Sequence, residues 1–271
     1  CYMDKVVQYL KRYYIRIKYY RYGWRGNYSS WQEAHDRCTG YHAANIIEKI
    51  KAATLRVKNG EAAYERDAVL YDKVEFSWPL LANLLWIAGT NENCLSVLDF
   101  GGSMGTSYFQ NRSYLAALTK LSWNVVEQPG FVATARKEIA GDALDFFETI
   151  EDSLAAKGSP TVIRLSCVLP YIEKPYVLLK EITSKKIPYI IIENTYFNRR
   201  AANRLTIQKV PPVYYEASYP AWFLNYDEVL MTLSENYDLT AAYNNEQFLY
   251  LDGRKIMYQG CVMHLKELAD N

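Results

Sequence analysis

The sequence predicts an α/β protein built on an open, doubly wound, mostly parallel sheet with an antiparallel last strand, preceded by a mainly helical N-terminal region. Three observations predict it. From residue 94 onward, short apolar or β-branched runs alternate with helix-length segments, and such alternation pairs strands in parallel through right-handed crossovers. The tail instead runs strand-like segments together around Asp252-Gly253, a strong hairpin signal. The first third carries helical spacing without strand alternation.

Residues 3–22 place Val6, Val7, Leu10, Tyr13, Tyr14 and Ile17 near helical spacing beside Lys5, Lys11, Arg12, Arg16, Lys18 and Arg21. That is the pattern of a basic amphipathic helix. It has two readings: peripheral docking to an anionic membrane surface or a partner, or packing on its own domain with a solvated basic face, and the second is favoured. Gly23 and Gly26 read as turns. Ser30 with Glu33 makes a capping box, so a helix starts near Trp31. Helices are expected over 43–58 and 77–88, which makes 1–88 a helical cap or lid on an α/β domain spanning 89–271.

Within that domain the strand candidates are 95–100, 124–128, 144–147, 161–168 and 189–194, and helices are expected over 108–120, 131–140, 151–157 and 176–184. A further helix near 227–235 leads into the segments 237–243, 248–251 and 255–265. The Pro- and Tyr-rich stretch 196–221 reads as an inserted connection overhanging the ligand edge of the sheet.

Bulk properties narrow the function. Half of the 271 residues are hydrophobic, enough for a buried core, and 31 basic against 30 acidic residues leave no field that would recruit nucleic acid. The five cysteines are widely spaced without a CxxC pair, which fits reduced thiols and no structural zinc. The apolar run 78–88 is far shorter than the roughly 20 residues of a membrane-spanning helix. No signal-peptide pattern is visible, so a cytoplasmic setting is expected, peripheral to the inner face of the membrane only if residues 3–22 dock there.

The most informative segment is Val97-Leu98-Asp99-Phe100-Gly101-Gly102-Ser103-Met104-Gly105, an apolar strand that ends in an acid and a glycine-rich turn opening a helix. Glycine serves where backbone takes positive φ or must lie within van der Waals distance of a ligand, and helix-start amides bind polar ligand groups. A dinucleotide would also fit such a turn. However, a carboxylate at Asp99 would repel a pyrophosphate and favour a cationic ligand. The second strand ends at Glu127 and Gln128, where an acid accepts hydrogen bonds from ribose hydroxyls; the alternative for Glu127 is a solvated strand end, and for Asp99 a purely structural helix-start carboxylate.

This pattern resembles the class I S-adenosylmethionine-dependent methyltransferases, whose first motif reads acidic-x-Gly-x-Gly-x-Gly in a Rossmann-like fold. Here Ser103 stands where the middle glycine is expected. The segments GWRGNYSSW, NGEAAYERD, DFGGSMGTSYFQN, VVEQPGF, RLTIQKVPP and ASYPAW further resemble a family of bacterial methyltransferases often encoded with cell-surface polysaccharide genes. The resemblance implies S-adenosylmethionine as cofactor, S-adenosylhomocysteine as product and no metal. It implies that Asp99, Gly101, Gly102, Ser103 and Gly105 hold the methionine end, Glu127 the ribose, and Phe146 or Phe147 the adenine, with core packing as the alternative for these two rings. The turn from Ser166 to Tyr171 resembles the fourth-strand motif beneath the methyl group, and Pro170 and Tyr171 stand where many relatives carry an acid and a histidine.

Methyl transfer from a sulfonium is an in-line displacement, so most catalysis comes from holding acceptor and methyl group in near-attack geometry. A hydroxyl acceptor also needs a base. Glu193, ending the fifth strand, is the preferred candidate, with Tyr171 and His35 as further catalytic candidates; a surface or core role is the alternative for His35 and His42. Tyr219 and Trp222 are candidates for the acceptor pocket, against simple packing. Two functions follow: O-methylation of a sugar or other small precursor of a surface polysaccharide, or non-catalytic cofactor binding on a scaffold of the same fold.

Overall fold

The computed structural model describes residues 22–39, 43–198, 202–212, 214 and 217–266, with backbone alone at 43–45. The basic helix expected over 3–22 and the His42 candidate therefore lie outside the described residues, Tyr22 apart.

The N-terminal part opens with β1 (Gly23–Tyr28), α1 (Trp31–Asp36) and α2 (Ala43–Lys58), followed by the short strands β2 (Tyr64–Arg66) and β3 (Val69–Tyr71) and by α3 (Trp78–Gly89). The mainly helical expectation for this region is thus corrected by three strands. Gly23 and Gly26 do take positive φ, at 92° and 88°. They sit in an irregular strand whose pairing with a distant segment shifts register between Arg25 and Tyr28, and glycines of positive φ are what such a bulge accommodates. The helices follow their sequence signals. Ser30 caps α1 through a bond from the Glu33 amide, and the stripe Ile46, Ile50, Ala53 and Val57 is the buried face of α2.

The alternating part comprises β4 (Cys94–Phe100), α4 (Thr106–Leu115), β5 (Lys120–Val126), α5 (Pro129–Glu138), β6 (Leu144–Phe147), α6 (Ile150–Lys157), β7 (Val162–Ser166), a 3-10 turn (Leu169–Tyr171), α7 (Pro175–Ser184) and β8 (Tyr189–Asn198). Then come β9 (Arg204–Lys209), β10 (Ser218–Asn225), α8 (Tyr226–Ser234), β11 (Tyr237–Leu251) and β12 (Arg254–Leu265). The stretch 196–221, expected as an overhanging connection, is mostly strand: β8 runs on to Asn198, and β9 pairs antiparallel with both β10 and β1. Long-range pairing overrides the loop-like composition there.

All ten strands other than β2 and β3 form one sheet of order β1-β9-β10-β8-β7-β4-β5-β6, with β12 on β8 and β11 on β12. The strands β4 to β8 are mutually parallel, and β12 is antiparallel to both neighbours. Successive residues of β4 serve opposite faces. Val97 joins Leu84, Ile87, Trp123 and Phe146 in the core beneath α2 to α5, whereas Leu98 joins Ile163, Leu179, Ile192 and Val229 beneath α6 to α8. The chain passes from β4 outward through β5 to β6 and then returns to the other side of β4 for β7 and β8, so the topological switch point lies between β4 and β7. Among the described residues no helix is long and apolar enough to cross a membrane.

Candidate cofactor-binding site

The switch-point crevice has two lips, the turn after β4 and the turn after β7. In the first, Gly101, Ser103 and Gly105 have φ of 72°, 55° and 83°. Ser103 thus adopts the left-handed conformation that favours glycine. Side chains are excluded at two neighbouring positions: a Cβ on Gly101 would stand 2.6 Å from Val168 Cγ2, and one on Gly102 2.7 Å from the Asp99 carboxyl carbon. The first contact joins the two lips, and the second puts the Asp99 carboxylate directly under the loop. Helix α4 starts at Gly105 with no side-chain cap, so its first-turn amides keep their capacity for a ligand.

Glu127 braces the loop from the end of β5. Its Oε2 accepts the Ser103 amide at 3.2 Å and its Oε1 the Gln128 amide at 3.0 Å. Burial pushes its carboxyl above the usual range, against the pull of these two amides. Each carboxylate oxygen retains a second lone pair for a ligand hydroxyl. Gln128 itself is exposed at the start of α5.

Beneath the loop lies a buried ionic network. Asp99 is 0% exposed, Arg164 3% and Glu193 2%. Arg164 Nη1 donates to Asp99 Oδ1 at 2.5 Å and Trp123 Nε1 donates to Asp99 Oδ2 at 3.0 Å. The other side of the guanidinium holds Glu193 Oε1 through Nε, at 3.0 Å, and Nη2. Ser77, just before α3, donates to Glu193 Oε2 at 3.3 Å. Burial pushes the Asp99 carboxyl up despite Arg164, whose own ionisation is held still higher than usual by the two acids. A central parallel strand carries Arg164 because both flanking strands bring it an acid: Asp99 is its partner in register on β4, and Glu193 stands two residues beyond its partner Ile191 on β8.

The second lip starts at Ser166 and turns at Cys167, a non-glycine residue with φ of 51°. Burial pushes the Cys167 thiol up to about 12, so it is no nucleophile at neutral pH. Tyr171, in the 3-10 turn, belongs to a hydrogen-bonded chain: Trp24 Nε1 donates to the Tyr196 hydroxyl at 2.9 Å, Tyr196 to Tyr171 at 3.3 Å, and Tyr171 to Gln208 Oε1 at 2.7 Å. The Tyr219 ring meets Tyr171 edge-on with centroids 5.2 Å apart.

Not all of the sequence candidates converge. Tyr219 and Trp222 lie three residues apart in β10 and so face opposite sides of the sheet; Trp222 stacks on Trp31 of α1, centroids 6.3 Å apart. The His35 side chain, also on α1, is 66% exposed beside Asp36. Phe146 is in the core with Trp123. Phe147 is buried on the opposite face, with the Arg136 guanidinium 5.4 Å from its centroid, and lines a shallow depression with Arg136, Glu148 and Asp152. Sequence reasoning passed over Arg164, Trp123 and Ser77. Arg164 had a signal, a lone charge inside the apolar run Val162-Ile163-Arg164-Leu165; the other two had none.

No family model and no curated protein sequence matches the chain, so its resemblance to the polysaccharide-associated family rests on the quoted motifs. Solved structures do show similarity. A SAM-dependent methyltransferase from Methanosarcina mazei aligns at 14% identity over 69% of this chain and 97% of that one, with a TM-score of 0.47. The N-methyltransferase NodS from Bradyrhizobium japonicum WM9, in complex with S-adenosyl-L-homocysteine, aligns at 14% identity over 79% and 100%, TM-score 0.45. The N-terminal domain of EvdMO1, in the presence of SAH and D-fucose, aligns at 12% identity over 81% and 97%, TM-score 0.47. At these identities and scores the likeness assigns neither ligand nor acceptor to this chain.

Proposed function

We propose that this chain is an S-adenosylmethionine-dependent methyltransferase that O-methylates a sugar or another small precursor of a bacterial surface polysaccharide. The glycine turn at the switch point carries the reading. It closes over a buried carboxylate, is braced by a second one at Glu127, and has two acids sharing the single guanidinium of Arg164 beneath it. Such a surround disfavours a pyrophosphate and favours a nucleoside that bears a sulfonium and an ammonium. In this role Glu127 accepts ribose hydroxyls, and the turn residues Gly101, Gly102, Ser103 and Gly105 line the methionine end. In this reading Phe147, which lines the depression beside Arg136, Glu148 and Asp152, flanks the adenine, and Phe146 is enclosed with Trp123 in the opposite core. Tyr171 and Tyr219 form an aromatic wall suited to one face of a glycan ring.

One observation favours the second reading, a non-catalytic cofactor-binding scaffold: Glu193, the preferred base from sequence, has one oxygen occupied by Arg164 and the other facing Ser77. In the methyltransferase reading Glu193 therefore positions Arg164 and does not take the acceptor proton.

Calorimetry with S-adenosylmethionine, S-adenosylhomocysteine and NAD tests the cofactor assignment. Binding of the first two and not of NAD is expected, and binding of NAD alone overturns it. Labelled methyl transfer to a panel of nucleotide sugars then separates the readings, because transfer to none of them favours the scaffold.

A further inference from the structure

Hydrogen bonds tie the hairpin of β2 and β3, and the residues that lead from it to α3, to the ligand edge of the sheet. Glu65 of β2 accepts the hydroxyl of Thr106, the residue that follows the glycine turn. One helical turn further on, Gln110 of α4 donates to the Glu75 carbonyl. Ser77 donates to Glu193 Oε2 at 3.3 Å, and Glu193 pairs in register with Ser166, where the second lip starts. The segment from Glu65 to Ser77 therefore reaches from the first lip of the switch-point crevice to the strand that flanks the second.

Glu65 is the acid of this edge with an open position. Asp99 is tied to Arg164 and Trp123, Glu193 to Arg164 and Ser77, and Glu127 to two amides. Glu65 is 2% exposed, one oxygen holds Thr106, and its Oε2 is buried without a hydrogen-bond partner. A buried acceptor left open is costly to the fold. Burial pushes this carboxyl up to about 7, against the pull of the Thr106 hydroxyl. The charged groups that act on it are Asp67 and Arg66 of its own hairpin, in opposite senses, and from α4 it meets the neutral Thr106 hydroxyl.

Beside this acid lies the start of α4, ten residues long and without a side-chain cap. Uncapped first-turn amides at the positive end of a helix favour an anion, whereas an open, buried carboxyl oxygen calls for a donor, best a cationic one. One hydrogen bond separates the two. We infer that Glu65 and the start of α4 form a subsite for an α-amino acid zwitterion, in which the α4 amides take the carboxylate and Glu65 Oε2 takes the ammonium. This rests on the methyl-donor reading above, whose ligand carries such a zwitterion at its methionine end.

The test is calorimetry of the full chain with S-adenosylhomocysteine and with 5′-deoxy-5′-methylthioadenosine, a thioether nucleoside that lacks the amino-acid end. Glu65→Gln keeps an acceptor for Thr106 and removes the charge. At pH 8 it is expected to lower affinity for S-adenosylhomocysteine about tenfold and to leave that for methylthioadenosine within about twofold. The wild type supplies a second measurement. At pH 6, in buffers of different ionisation enthalpy, it is expected to release about one proton more than E65Q on binding S-adenosylhomocysteine, because an ammonium ionises the carboxyl it meets. Equal proton release in the two proteins, unchanged affinity for S-adenosylhomocysteine in E65Q, or equal weakening of both ligands overturns the subsite while the donor reading survives. Failure of the wild type to bind either S-adenosylmethionine or S-adenosylhomocysteine overturns both.

Discussion

Arg164 Nη1 lies 2.5 Å from Asp99 Oδ1 with both side chains buried, at 4% and 0% exposure, directly beneath the glycine turn. The same guanidinium holds Glu193 from the next strand. Three parallel strands are thereby cross-linked by charge at their ligand edge, and the acids most conspicuous in the sequence are structural before they are anything else.

Arg164→Leu is expected to destabilise the fold by about 3–5 kcal/mol, because it leaves two buried carboxylates without a counter-ion. Asp99→Ala should also cost stability, since Trp123 Nε1 and one side of the guanidinium lose their acceptor. Urea unfolding followed by tryptophan fluorescence measures both. A loss below 1 kcal/mol in R164L would show that the network is not a stabilising unit.

Glu127→Ala should act on binding. Removing the carboxylate frees the Ser103 amide and takes away an acceptor for the ligand, and a charge-assisted bond of this kind contributes about 1.5–3 kcal/mol. Affinity for S-adenosylhomocysteine is expected to fall roughly 10- to 100-fold with little change in the unfolding midpoint. Unchanged affinity would remove Glu127 from the cofactor site.

Glu65 makes stability depend on pH. Burial raises its carboxyl from 4.5 to about 7, and its Oε2 has no partner. Between these values the folded protein keeps a proton that the unfolded chain has released, so this group's contribution to stability falls as pH rises through that window. Above it the penalty is roughly 3 kcal/mol. Glu65→Gln, which preserves an acceptor for Thr106, is therefore expected to be near neutral at pH 4.5 and stabilising at pH 8. Denaturant midpoints at the two pH values decide it, and an equal difference at both would contradict the assignment.

Much of this protein was legible before folding was considered, for reasons of period and local chemistry. The spacing of Ile46, Ile50, Ala53 and Val57 defines α2 on its own; the apolar runs mark β4 to β8, and Asp252-Gly253 marks the final hairpin. The glycine turn was equally plain, and Gly101, Ser103 and Gly105 all take positive φ there. What failed were segments stabilised from far away in the chain. β1 depends on β9, some 180 residues distant, and 196–221 is mostly strand because β9 pairs with both β1 and β10.

The amino-acid sequence alone determined the doubly wound core and the place of the glycine turn at its switch point, because hydrophobic period and glycine conformation are properties of neighbouring residues. Only the tertiary structure decided which acids share Arg164 and which brace the glycine turn. Charge state and partnership depend on side chains brought together from β4, β7 and β8; no local pattern encodes the distance between Asp99 and Arg164.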